Sequence, residues 1–227
     1  MADSQLCTIL LVVACLLHLG NASRPHMEHA LREHDDVPAL TSAPWFCHDI
    51  DCPKYTVVNT STDYEVRHYK ASTWASTDVQ AYATALASTV GFKRLYAYIG
   101  GANEEEVKIP MTSPVRVEVE AAAGPFCKNN FTVSFFVPFS YEGKPPAPNS
   151  TDVYIQHVPA FTAYVSQFGG YYMDDWSISK KAIALLEAIQ RDHGAVEGDG
   201  YTFAGYDPPF RLQNRHNEIW IRAAEQV

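Results

Sequence analysis

Reactive side chains come close together at three places in the sequence. Cys47-His48-Asp49 has the residue types of a nucleophile, a base and an orienting acid. Consecutive residues point apart, whereas catalytic groups converge from separate parts of a fold, so this run is a coincidence of letters. His26, His29 and His34 are metal-ligand types spread through a proline-punctuated, acid-rich stretch, and a solvated tract explains them. Cys47 and Cys52 enclose His48-Asp49-Ile50-Asp51, and in an oxidising compartment a local disulfide is their simplest pairing. As metal ligands they would need further partners at suitable spacing, and none stands out. Cys127 is then left as a buried free thiol or as an alternative partner for either of them. With no phosphate loop and no convincing nucleophile–base pair, the chain is expected not to be an enzyme.

The whole chain sets the context for these groups. Its 227 residues are 47% hydrophobic, enough for a substantial core, and its formal charge is −9. No block of Lys and Arg interrupts the acidity, which argues against nucleic acid as a partner, because phosphate binding draws on clustered cations. Leu6 to Leu19 is an apolar run followed by Gly20-Asn21-Ala22, whose small residues fit signal-peptidase cleavage after Ala22. The run is shorter than the ~20 residues that cross a bilayer, so no stable membrane anchor is expected after cleavage. Cys7 and Cys15 leave with it. Asn-x-Ser/Thr sequons at Asn59, Asn130 and Asn149 fall in stretches that read as loops, which makes a secreted, extracellular glycoprotein the favoured expectation. Residues 1–22 are thus assigned to a secretory signal, 23–53 to a flexible N-terminal extension and 54–227 to a single domain.

Periodicity supplies the elements that must position any site. Tyr64 to Tyr69 alternates as a strand, and a second strand runs through Thr73-Trp74-Ala75. Thr77 and Gln80 have capping-box spacing, so a helix is expected from Thr77, with Val79, Tyr82, Leu86 and Val90 on one face. Beyond Gly91, a candidate kink, Phe92, Leu95, Tyr96 and Ile99 continue the spacing to Gly100-Gly101. Strands follow at Val115–Glu120 and Phe131–Val137. The order then repeats. Val153–His157 and Phe161–Ser166 match the first two strands, with His157 matching His68. A helix carries Ile178, Ala182, Leu185, Leu186 and Ile189 on one face, with Glu187 set to support Arg191. Tyr201–Ala204 and Glu218–Arg222 close the chain. Two strand-strand-helix-strand-strand repeats predict an α+β domain, a distorted antiparallel β-barrel or curved sheet with two helices packed against it.

Four blocks of this sequence resemble the SOUL/heme-binding protein family: YEVRHY at Tyr64, YIGGANEEEVKIPMTSPV at Tyr98, QFGGY at Gln167, and FAGYDPPFRLQNRHNEIWI from Phe203. The resemblance covers about Tyr64 to Arg222. It implies binding of heme or a related tetrapyrrole, held as a ligand rather than a catalytic cofactor, for buffering or transport. A porphyrin needs an apolar wall and cations for its propionates. The family's site, along the first helix and the loop before the final strand, maps onto Phe92, Leu95 and Tyr96 and onto Phe210, Arg211 and Leu212. Arg211 matches the basic loop position. Thr89 stands where some members carry a basic residue, which leaves Lys93 or Arg94 as substitutes. His68 falls at a position proposed as an axial ligand in some members, although its alternation also suits an ordinary, partly buried histidine.

The resemblance admits other readings. Some members are proposed to engage protein partners through the second helix, where Leu185, Leu186, Ile189 and Asp192 form a stripe ending in an acid, and core burial explains the same stripe. A related fold in bacterial effector-binding domains keeps other flat apolar ligands open. The oligomeric state has no signature in the sequence.

Overall fold

The computed structural model describes residues 43–120, 129–172 and 174–224. The expected signal segment, the histidines at 26, 29 and 34, and Cys127 lie outside the described residues. The elements run in the order Tyr55–Thr60 (β1), Glu65–Tyr69 (β2), Ser72–Ala81 (β3), Thr84–Ile99 (α1), Val115–Glu120 (β4), Asn129–Phe136 (β5), Tyr154–Val158 (β6), Phe161–Phe168 (β7), Asp175–Arg191 (α2), Tyr201–Gly205 (β8) and Asn217–Arg222 (β9). After β1, the chain is therefore two copies of strand-strand-helix-strand-strand.

All nine strands join one antiparallel sheet in the order β1-β2-β7-β9-β8-β4-β5-β3-β6. With β1 set aside, equivalent strands of the two repeats appear in the same order from either end, so a pseudo-twofold relation lies between β8 and β4. Each repeat lends its first strand to the other: β2 pairs with β7, and β6 with β3. The register continues through the bends, with Tyr69 opposite Phe161 and Ser72 opposite Val158. These two bent ribbons curl the sheet into a half-barrel, and the result is the expected α+β fold.

Alternation along the strands divides the side chains between two faces. On the outer face, Leu95 and Ile99 of α1 pack with Val79, Val133 and Phe135, while Ile178, Leu185 and Ile189 of α2 pack with Ile219 and Ile221. Full burial of each such side chain stabilises the fold by roughly 1.5–3 kcal/mol. The alternate residues on β2, β7 and β9, among them Arg67, Tyr69, Val165, Glu218 and Trp220, are also buried, on the opposite, concave face.

Several local expectations are corrected. Thr77 and Gln80 lie in β3, not in a helical cap, because residues 74–81 pair with β5 from Phe136 to Asn129. The β-branched Thr77 and Val79 suit that pleat. The helix begins only at Thr84, with Tyr82 and Leu86 exposed rather than on its buried face. α1 runs unbroken through Gly91, where an added Cβ would stand 2.5 Å from Val133 Cγ2. Glycine there permits close helix–sheet approach instead of a kink. Residues 43–53 are packed, not flexible: Phe46 and Cys47 are buried, Cys47 and Cys52 are joined, and Asp51 accepts from the backbone N–H of Ser113 and, through its side chain, of Phe139. Asn59 and Asn130 are exposed on strands rather than loops, while exposed Asn149 donates to the Asn103 carbonyl. Arg191 pairs with Asp63 and Asp192, not with Glu187.

Candidate functional site

Helical spacing separates the residues of α1 by face. Leu95 points into the core and is fully buried, whereas Phe92 and Tyr96, one turn apart, are 38% and 58% exposed. Their rings lie nearly parallel, 5.7 Å between centroids at 14°, and Phe92 is anchored edge-on against Phe135 at 5.2 Å. This gives the outer side of α1 an exposed aromatic patch, from which Leu95 is turned away. Lys93 is exposed between the two rings in sequence. Arg94 is committed elsewhere: its Nη1 donates to Thr77 Oγ1 and the Asp78 carbonyl, and its Nη2 stands 3.4 Å from Asp152.

Phe210 and Leu212 project from the β8–β9 loop, 80% and 78% exposed. Behind them, Arg215 stacks on Tyr171 and donates to the carbonyls of Asp207, Pro208 and Arg211. Arg211 is already matched, its Nε 3.1 Å from an oxygen of buried Asp207, which also meets His48 at 2.8 Å. No ring contact or hydrogen bond among the described residues joins this loop to Phe92 or Tyr96.

His68 is exposed on β2, whose Val66 packs with the α2 cluster, and its Nδ1 lies 3.2 Å from Thr162 Oγ1. His157 repeats the arrangement with Thr73 at 3.1 Å. His68 therefore belongs to the half of the sheet that α2 covers, whereas Phe92 and Tyr96 stand on α1. That patch offers apolar and aromatic surface, but no contact brings His68 to it. No group of three or more His, Cys, Asp or Glu among the described residues could hold a metal ion. The Cys47-His48-Asp49 run has its sulfur in a disulfide, and no helix among them is long and apolar enough to cross a membrane.

The second-helix stripe is mostly interior: Leu185 and Ile189 are buried and Leu186 is partly buried in the same cluster. Asp192 accepts from Ser61 and Tyr64. These residues serve the core and the β1–β2 turn rather than an open docking face.

The concave face holds a dense polar centre on Glu218. Its carboxylate accepts from Arg67 Nη1 (2.9 Å), Tyr206 Oη (2.8 Å) and Trp220 Nε1 (2.7 Å), and lies 2.8 Å from His216 Nε2. Burial by itself would raise the Glu218 carboxyl, but Arg67, His216 and Trp220 outweigh it and hold it below its ordinary value. Burial disfavours the Arg67 cation in turn, and Glu218 more than restores it. Tyr69 and Tyr206 are pushed well up, by burial first and then by Glu218. Phe46 caps the centre, stacked on His216 at 3.9 Å and 3°.

Residues 50–222 match the family described as SOUL heme-binding protein. The chain belongs to the SOUL family. It is 37% identical over 159 residues to human "Heme-binding protein 2", covering 70% of this chain and 77% of that one. It is 33% identical over 202 residues to the mouse protein of the same name, covering 88% and 94%, and 31% identical over 158 residues to Xenopus laevis "Heme-binding protein 1", covering 70% and 82%. Among solved structures the EcmrR C-terminal domain superposes with a TM-score of 0.55 at 14% identity, covering 72% of this chain and 99% of that one, which shows a shared fold.

In this SOUL chain the two strongest members of the Glu218 centre, Arg67 and Glu218 itself, carry only a weak signal in the sequence. Arg67 sits in YEVRHY on the face opposite Val66, and Glu218 shares a face with Trp220 in a strand otherwise apolar from Ile219 to Ile221. A charge on the better-packed face of a strand marks a paired interior group. The Gly-Tyr-Asp-Pro-Pro and Asn-Glu-Ile-Trp blocks thus build one structural unit, with Tyr206 and Asp207 serving Glu218, His48 and Arg211.

Proposed function

We propose that this protein binds heme or a related tetrapyrrole on the outer face of α1, and that it does so as a secreted glycoprotein that buffers or carries the ligand. Membership of the SOUL family and the names of its relatives support heme as the ligand. The observation that carries the site is the exposed Phe92–Tyr96 pair, since a porphyrin recovers apolar burial and aromatic contact on such a patch. Lys93 is the available cation for a propionate, because Arg94 and Arg211 already have acidic partners. Phe210 and Leu212 remain candidates for a second wall. Bound heme would supply a redox-active iron. His68 stands away from the aromatic wall, so binding rests on the plane and the propionates.

Hemin titrated into the secreted protein should give a saturable Soret shift, about tenfold weaker in Phe92→Ala or Tyr96→Ala. Ile183→Ala, on the exposed side of α2, should leave it unchanged. The absence of a saturable shift, or equal affinities in all four proteins, would overturn the site. Expression from the full coding sequence in cultured animal cells should deliver the protein to the medium with glycosidase-sensitive mass, and retention inside the cells would refute secretion.

A further inference from the structure

A cavity of about 330 Å³ opens on the other side of the molecule, between residues 43–46 and the strands β1, β2 and β7. Trp45, Phe46, Tyr55, Glu65, Arg67 and Gln167 line it. Its rim is accessible, with Trp45 64% exposed, while Phe46, Tyr55 and Arg67 are buried. The Cys47–Cys52 bridge and the Phe46–His216 stack hold the aromatic wall in place.

The charges around this recess differ in exposure. Arg67 donates from Nε to Glu65 Oε2 at 2.8 Å and from Nη1 to Glu218 Oε1 at 2.9 Å, and its guanidinium lies over Tyr55 at 4.2 Å. One guanidinium thus stands between two carboxylates. Glu218 is enclosed and saturated by its own donors, whereas the Glu65 side chain keeps 29% of its surface in solvent. Glu65 therefore puts negative charge on the open side, beside an exposed indole. A carboxylate next to aromatic faces attracts a flat cation twice, by charge and by the ring quadrupole. The same carboxylate repels anions, heme propionates included. The net charge of −9 favours encounter with cations further. The volume is near the lower end for ligand pockets and admits a molecule of about two or three fused rings.

We propose that this recess is a second small-molecule site, selective for an aromatic organic cation that stacks on Trp45 and pairs with Glu65. It is independent of tetrapyrrole binding on α1.

N-methylacridinium titrated into the full chain, followed by quenching of the ligand's own fluorescence, tests this. Saturable binding is expected, weakened about tenfold in Glu65→Gln, a variant that still presents an acceptor to Arg67. Neutral acridine at pH 8 should bind with the same affinity to wild type and Glu65→Gln. Trp45→Ala should weaken both ligands, and Tyr96→Ala should affect neither. No saturable quenching in the wild type, an unchanged affinity for the cation in Glu65→Gln, or loss of cation binding in Tyr96→Ala would each overturn the proposal. None of these outcomes bears on the hemin titration, so the two sites stand or fall separately.

Discussion

Arg67 and Glu218 meet at 2.9 Å although 151 residues separate them, and both side chains are essentially excluded from solvent. Their strands, β2 and β9, flank β7 on either side, so the ion pair clamps the first repeat to the last strand of the second. Two charges taken out of water are tolerable only because each finds its partner and further hydrogen bonds. Glu218→Ala, which leaves Arg67 with Glu65 alone and takes the acceptor from Tyr206 and Trp220, should cost about 3–5 kcal/mol in urea unfolding. The double substitution Arg67→Met with Glu218→Leu should lose less, because no buried cation remains and only the partly exposed Glu65 loses its partner. Equal losses in single and double variants would show that the pair is not the unit.

The same carboxylate sets an acid limit. Glu218 is held below its ordinary 4.5 in the folded state, so the unfolded chain takes up the proton first as pH falls. Its contribution is complete above about 4.5 and is lost as pH drops from there through the lower folded value. Urea midpoints between about pH 6 and pH 3 should fall with acidification, and the fall should be shallower in Glu218→Gln. A parallel decline in the two proteins would assign the acid sensitivity to other carboxyl groups.

Leu95 and Tyr96 are neighbours with opposite tasks. Leu95→Ala should cost about 2–5 kcal/mol, since it empties a filled site between α1 and the sheet. Tyr96→Ala should change stability by no more than about 0.5 kcal/mol and weaken hemin binding. With stacking as the main attraction and no histidine at the wall, iron-free protoporphyrin IX should bind within about threefold of hemin. A hemin preference of a hundredfold or more would point to an axial ligand.

The repeated strand-strand-helix-strand-strand order was legible because two-residue and helical periods report burial directly, and the curled sheet follows from two equal halves sharing one core. What escaped depends on partners distant in sequence. Thr77 and Gln80 have the letters of a cap, and only the pairing of β3 with β5 turns them into a strand. The separation of Leu95 from Phe92 and Tyr96 needs the orientation of α1 on the sheet. Arg67 and Glu218 look like ordinary strand charges until β2 and β9 are placed on either side of β7. The disulfide was the easier inference, because its two sulfurs are local.

Gly91 offers a test in which local preference and packing disagree. Alanine is the better helix former by about 1 kcal/mol, yet its methyl would stand 2.5 Å from Val133 Cγ2. Overpacking of this kind costs about 1–3 kcal/mol, so Gly91→Ala should be destabilising on balance. Gly91→Ala with Val133→Ala should recover part of the loss in thermal unfolding. A stabilised single variant would mean that α1 can lift away from β5 at little cost.

The Cys47–Cys52 bridge closes a short loop, for which chain entropy gives about 2 kcal/mol. Its effect should be local, because the bridged segment meets the sheet through a few identifiable bonds: Ser113 N–H to the Asp51 carbonyl at 3.0 Å, Phe139 N–H to Asp51 Oδ2 at 2.9 Å, and His48 to Asp207 at 2.8 Å. In Cys47→Ala with Cys52→Ala, hydrogen exchange should quicken first at the amides of Ser113 and Phe139. The amide of Val133, within the central sheet, should keep its relative protection. Uniform acceleration across all three would mean that the segment is integral to the cooperative core. Unchanged exchange at Ser113 would mean that Phe46, stacked on His216, holds the segment without the bridge.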